Sequence, residues 1–466
     1  MTRTEHRPAA ETHFGALLTT VFFLNFLVAL DMSLVNIALP KIQADLGFTP
    51  SALQWVVTSY LLTYAGFMLL GGRIGDLWGR RNVIIAGLVV FAAASLLGGF
   101  ALSSGMLIAA RALQGVAGAL LAPASLALVT TVTDPARHKK AMGLWAGAGA
   151  AGGAVGVVLS GLLTEWFSWR AVLLVNVPIV LIALLGAIRG VRPDRGESTG
   201  RLDVAGAFLV TAGVGALVYA VSSAGDHGWA SPRFTVGGVA AAVLLVGFAI
   251  VERKAPHPLM PPTLMKRRNI LGANAFGFML AAGQLAAFYF ASLYVQTVWN
   301  VDPGIAGTLF LPFCVAAFIG IVVGNKLAAT IGTRMTMVLM GLLTGLGLFL
   351  FSQIPAEFDF WLGILLPSAV TAIGLGGSMV QVGVAATKGV PPAEVGIASG
   401  VANSSRQLGG TIGLAVLVTI ASHFTVPREG YSTGFAVGAL FLVVGSLLAW
   451  LILPRDRADS STTAPE

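Results

Sequence analysis

Residues 83–100 read Val83-Ile-Ile-Ala-Gly-Leu-Val-Val-Phe91-Ala-Ala-Ala-Ser95-Leu-Leu-Gly-Gly-Phe100, an uncharged run with one hydroxyl. A strand of a membrane β-barrel would alternate apolar and polar positions over about ten residues, and this run does not. The same holds for Phe435–Leu453. A helix needs about 20 apolar residues to cross a bilayer, which these runs approach or reach. Working outward, the chain divides into fourteen such runs: 14–38, 52–72, 82–102, 106–129, 141–163, 171–188, 204–223, 234–251, 270–295, 305–326, 335–352, 361–386, 396–421 and 433–453. The expected fold is an all-α polytopic membrane protein.

Composition agrees. Of 466 residues, 56% are hydrophobic and 10% charged, whereas about 25% charged is usual for soluble domains. A soluble enzyme, a disordered chain and a nucleic-acid binder are all excluded. Of the 28 lysines and arginines, 22 fall on the side of the termini if fourteen spans are threaded. Only Lys41, Arg170, Arg233 and Arg428 fall opposite, and Arg111 and Arg406 lie within spans. This asymmetry predicts that both ends are cytoplasmic, in the tails 1–13 and 454–466. It also accounts for the net charge of +8 without a polyanionic partner. Met1–His13 leads into a run too long for a secretory signal. The single cysteine, Cys314, permits neither an internal disulfide nor a cysteine metal cluster.

The loop after the second run is Gly72-Arg-Ile-Gly-Asp76-Leu-Trp-Gly79-Arg80-Arg81. Its glycines allow a tight turn, and an acid flanked by arginines can form an ion pair in one conformation and break it in another. The segment resembles the cytoplasmic-loop motif G-x-x-x-D-x-x-G-R-R/K of the major facilitator superfamily. Leu30-Asp31-Met-Ser-Leu-Val-Asn36-Ile-Ala-Leu-Pro40, Gln54-Trp55-Val-Val-Thr-Ser-Tyr60, Arg111-Ala-Leu-Gln114-Gly115, Trp169-Arg170 with Asn176-Val-Pro178, and Asn403-Ser-Ser-Arg406-Gln407 extend the likeness. Together they are similar to the fourteen-helix drug:proton antiporter branch. The resemblance implies two six-helix halves, 14–188 and 270–453, with a linker and inserted helices seven and eight at 189–269. Two departures stand out. Gly156-Val157 replaces the Gly-Pro pair of the antiporter motif, and Ala329 stands where the second-half loop copy would carry its acid.

Asp31 is the one acidic residue placed well inside a span. A carboxylate at the bilayer centre costs about 2.5–3.5 kcal/mol, which favours a functional reading over a permanent pairing with Arg111. Burial favours its protonated form and a neighbouring cation its ionised form, so changing water access can load and release a proton. The resemblance assigns proton coupling to Asp31, Arg111 and Gln114, and conformational switching to Gly72, Asp76, Gly79, Arg80 and Arg81. Asn25, Phe26, Asn36, Tyr60, Tyr64, Asn274, Gln284, Tyr289, Asn403 and Arg406 are expected to face the substrate, although each could instead bond between helices. With Phe22, Phe288 and Phe290 they suggest an aromatic pocket for hydrophobic or cationic molecules. Gly149, Gly152, Gly153 and Gly156 give a helix-packing stripe. The literal G-x-G-x-x-G at Gly147–Gly152 has no preceding strand and is not read as a nucleotide site.

These readings imply a proton-coupled exporter of drug-like molecules in the cell membrane. It would be powered by the proton gradient, with no cofactor or metal and no enzymatic activity, and would work as a monomer in the lipid bilayer on small molecules and protons. An importer or facilitator of the same fold is the alternative, motivated by Val157. A membrane enzyme or receptor would need a catalytic cluster or soluble domain that the sequence does not supply.

Overall fold

The computed structural model describes residues 8–193, 203–254, 264, 266–391 and 394–455, and the side chains of residues 8–13, Pro50, Leu69, Asp76 and Asp226 are outside the described set. Parts of the expected tails and of the 189–201 linker therefore lie outside the described residues. In hydrocarbon the backbone must satisfy its own N–H and C=O groups, so each apolar run closes into a helix.

The long helices among the described residues are α1 (Pro8–Leu46), α2 (Trp55–Trp78), α3 (Arg80–Gly99), α4 (Ser104–Thr130), α5 (Pro135–Trp166) and α6 (Trp169–Gly190). There follow α7 (Val204–His227), α8 (Pro232–Lys254), α9 (Arg268–Thr297), α10 (303–331), α11 (333–352), α12 (Trp361–Thr387), α13 (Val395–Ala421) and α14 (Pro427–Ile452). By length and apolar composition, eleven segments among the described residues can cross a membrane, with Pro303–Ser352 counted as one. Several helices outrun the apolar runs. α1 has 39 residues, about 58 Å at 1.5 Å per residue, against the run 14–38. Hydropathy marks what sits in hydrocarbon, and a helix continues into the interface on either side.

Two junctions need glycine. α2 passes to α3 through Gly79 at φ 85°, and α10 passes to α11 through Gly332 at φ 83°, a region closed to most side chains. At each junction an arginine ties the chain to a helix C-terminus: Arg81 Nη2 donates to the Ile188 carbonyl of α6 at 3.2 Å, and Arg334 donates to the Trp450 carbonyl of α14. Cations suit that end of a helix because its last carbonyls lack partners.

Helices α1–α6 pack as one bundle and α9–α14 as another, while α7 lies against both α2 and α13 and carries α8 on its outer side. Leu62, Val214, Val218 and Ala415 form the core of that three-helix contact. α8 buries only Gly237, Ala241 and Glu252, so its apolar surface is left to lipid.

The bundles meet firmly at the end carrying Asp45 and Trp299. Ser292 Oγ donates to the Asn36 carbonyl at 2.7 Å and Gln296 Nε2 to the Ile37 carbonyl at 3.0 Å. Gly304 N–H donates to Glu165 at 2.8 Å. The segment where Val157 replaces the family proline lies on this seam: Val157 backs onto Gly307 and Gly161 onto Pro303. Toward the other end, α5 stands largely exposed over residues 134–147, and Gly143 and Gly147 have no neighbour where a Cβ would sit.

Candidate functional site

The first bundle encloses a charged centre. Arg111 Nη1 donates to Asp31 Oδ2 at 2.6 Å and to Gln114 Oε1 at 2.8 Å, and its Nε donates to the Val56 carbonyl at 3.0 Å. Asn176 Nδ2 donates to Asp31 Oδ1 at 2.7 Å, and Gln114 Nε2 donates to the same oxygen at 3.3 Å and to Ser95 Oγ at 2.9 Å. Asp31 is 0% exposed and Arg111 1%. Five helices thus supply one network: α1, α2, α3, α4 and α6. Removing one partner of such a pair strands a buried charge, which costs about 3–5 kcal/mol.

Local sequence explains the placement. Gly115, which follows Gln114, has no side chain to hold α4 away from the Tyr60 carbonyl of α2, and an added Cβ would run into it. That close approach brings Arg111 over the Tyr60 ring, 4.5 Å from its centroid, and within reach of Val56. The R-x-x-Q-G spacing therefore combines a cation, its amide partner one turn on, and the small residue that lets both reach α2.

A second centre lies between the bundles. Arg406 Nη2 donates to Asn403 Oδ1 at 2.6 Å, its Nη1 lies 4.0 Å from Met379 Sδ, and Asn403 Nδ2 contacts Met68 Sδ across the seam at 3.1 Å. Gln407 reaches Met32 of α1 at 4.0 Å. Tyr64 hydrogen-bonds the Asn403 side chain and stacks on Tyr60 at 5.9 Å with the rings 9° from parallel. Arg111, Tyr60, Tyr64, Asn403 and Arg406 therefore form a continuous line of contacts from one bundle to the other.

The structure brings together Asp31, Arg111, Gln114, Tyr60, Tyr64, Asn403 and Arg406, and separates the other residues that the sequence grouped with them. Asn25 donates to the Trp145 carbonyl of α5 at 2.7 Å, and Asn36 bonds within its own helix. Asn274 is buried against α13, where Ser405 donates to its carbonyl, and Tyr289 is buried edge-on to Phe290. Helix contacts claim Asn25, Asn36 and Tyr289, because an amide or phenol in hydrocarbon is held by the nearest backbone or ring, whereas the Asn274 amide is buried with no hydrogen-bond partner among the described residues. The expected single aromatic pocket is three sets. Phe22 and Phe26 stack on α1, while Phe288 packs on Phe310 and Phe313 beside Gln284 in a narrow cleft that also includes Ser368 and Thr371. Phe290 instead packs against Phe435 and Tyr431.

Among the glycines of α5, an added Cβ on Gly149, Gly152 or Gly156 would meet α1, at 2.9 Å from Asn25 Nδ2, 2.5 Å from the Phe26 carbonyl and 2.8 Å from the Leu30 carbonyl. Gly153 is a correction: its Cβ position is open, because it points away from α1. In the loop motif, Gly72 has the Pro123 ring 3.6 Å from its Cβ position, Gly79 makes the turn, Arg80 opens α3 and Arg81 ties to α6. The Asp76 side chain lies outside the described residues. Sequence reading missed Asn176 and Ser95. Asn176 carries a signal in the sequence, an amide in an apolar run, while Ser95 carries none.

Two helical bundles meeting along a seam, with a sealed ion pair beside it, define a membrane transporter. The sequence profile of the Major Facilitator Superfamily matches residues 21–290 and 273–466, and the chain belongs to that family. It is 38% identical to the puromycin resistance protein pur8 of Streptomyces alboniger, over 96% of this chain and 93% of that one. It is 37% identical to the cephamycin export protein CmcT of Amycolatopsis lactamdurans, over 91% and 89%. The crystal structure of a peptide transporter POT in complex with sulfate superposes with a TM-score of 0.69, covering 94% of this chain and 93% of that one at 16% identity, which shows the shared fold.

Proposed function

We propose that the chain exports antibiotic-like small molecules from the cell by exchange for protons, as a monomer with fourteen spans and both ends in the cytoplasm. The observation that carries this reading is the sealed Asp31–Arg111 pair, an acid in the membrane-spanning region tied to the inter-bundle seam through Tyr60 and Tyr64. Resistance and export in the names of the relatives support the direction of transport. Lysine and arginine bias supports an orientation with the Asp45 end outside, and its hydrogen-bonded seam then supports an inward-open conformation.

In this mechanism substrate enters from the inside while Asp31 is ionised and held by Arg111, Gln114 and Asn176. Rocking of the bundles opens the seam to the outside. A proton from outside neutralises Asp31, its bond to Arg111 is lost, and the freed guanidinium disturbs Tyr60 and so the substrate site beyond it. Substrate leaves outward and the proton is released inward.

The test is efflux of ethidium and of puromycin from cells carrying the wild-type chain or Asp31→Asn, with and without a protonophore. Proton-driven export requires efflux by the wild type that stops with the protonophore and in the variant. Efflux that survives collapse of the gradient removes the antiport mechanism, and net accumulation of the compounds would favour import instead.

A further inference from the structure

The two intramembrane arginines differ in their partners. Arg111 has a carboxylate, while Arg406 has an amide oxygen and a thioether. The ion pairs Asp31–Arg111 and Asp45–Arg170 do not involve Arg406. Its own helix, Val395–Ala421, carries no acid, and the one that caps it, Glu394, is twelve residues away and so about 18 Å along the axis. Yet a guanidinium cannot shed its proton to become neutral, and it lies mid-helix, half-buried between the bundles.

We propose that Arg406 is an anion-binding subsite that takes a carboxylate, or a group of like charge, on the transported molecule. The proposal rests on the export reading and narrows its substrate class: the cargo carries at least one anionic group, whatever other charge it bears. The geometry suits this. Asn403 Oδ1 holds one arm of the guanidinium at 2.6 Å, which orients the plane and leaves the remaining N–H groups for a two-pronged contact with a carboxylate. Met379 lies against Arg406, Met68 against its partner Asn403 and Met32 against the adjoining Gln407, a soft, adaptable apolar surface that accepts the rest of an irregular molecule. Tyr64, joined to Asn403, connects the subsite to Tyr60 and Arg111, so an anion on Arg406 is sensed by the proton-carrying bundle.

The experiment measures binding of N-dansyl-leucine and of its methyl ester, which differ by one negative charge, to purified full-length protein in phosphatidylcholine nanodiscs. Wild type is expected to bind the acid about tenfold more tightly than the ester. Arg406→Gln should bring the ratio close to one, and Arg406→Lys should retain part of it. Equal or weaker binding of the acid by wild type, failure to bind the acid, or an unchanged ratio in Arg406→Gln overturns the proposal. A parallel arm adds phosphatidylglycerol. If that lipid abolishes the preference for the acid, the group held at Arg406 is a lipid phosphate, and the assignment to cargo falls. Protonophore-sensitive ethidium efflux without acid preference would leave proton-driven export standing and remove only this subsite.

Discussion

Truncating Asn176 to alanine removes a donor 2.7 Å from Asp31 Oδ1 and leaves the other bonds of the network in place. Hydrogen bonds to charged groups contribute about 1.5–3 kcal/mol each, so thermal unfolding of the purified Asn176→Ala protein should show a loss of that order. Unchanged stability would mean that the amide is not a working member of the network. At this scale the sequence was informative where a polar group interrupted an apolar run. Asp31, Arg111 and Arg406 stood out because charge in hydrocarbon is costly. Ser95 did not, since a hydroxyl in a helix can turn to its own backbone. Only the fold reveals that Gln114 donates to it at 2.9 Å.

Helix contacts make a sharper test, because two glycines of similar sequence surroundings sit in opposite environments. Gly115 lies against the Tyr60 carbonyl, so Gly115→Val must push α4 from α2 and lift Arg111 off Val56. Overpacking of this kind costs about 1–3 kcal/mol, and efflux in cells should fall severely. Gly153→Ala meets open space and should export at nearly the wild-type rate. Equal tolerance of both would remove the packing account of the R-x-x-Q-G spacing. Period and hydropathy predicted that α5 carries a glycine stripe, but not which side of it faces α1. A stripe of small residues has two edges, and Gly152 and Gly153 differ only in which one they occupy.

At the scale of the whole molecule, the closed end rests on few polar contacts. Interhelical hydrogen bonds in membranes average about 0.6 kcal/mol, so removing the donors of Ser292 and Gln296 shifts the balance by about 1.2 kcal/mol, or roughly sevenfold. In a Cys314→Ser background, a cysteine at Asn36 should therefore react several times faster with an external maleimide when Ser292→Ala and Gln296→Ala are added. No change would show that apolar packing alone holds the seam. Which end closes was not legible in the sequence, since it depends on side chains some 256 residues apart. The repeated half was legible only in part: Ala329 stands where the second copy would carry its acid, and the sequence did not show whether the turn itself is kept. The backbone shows that it is. Gly79 and Gly332 share one dihedral setting, and Arg81 and Arg334 clasp the last turns of α6 and α14 alike. Many transporter folds are built from internal structural repeats. Here the hinge shape and its clasp recur without the charge, so the likeness between the halves is better traced through conformation than through residue identity.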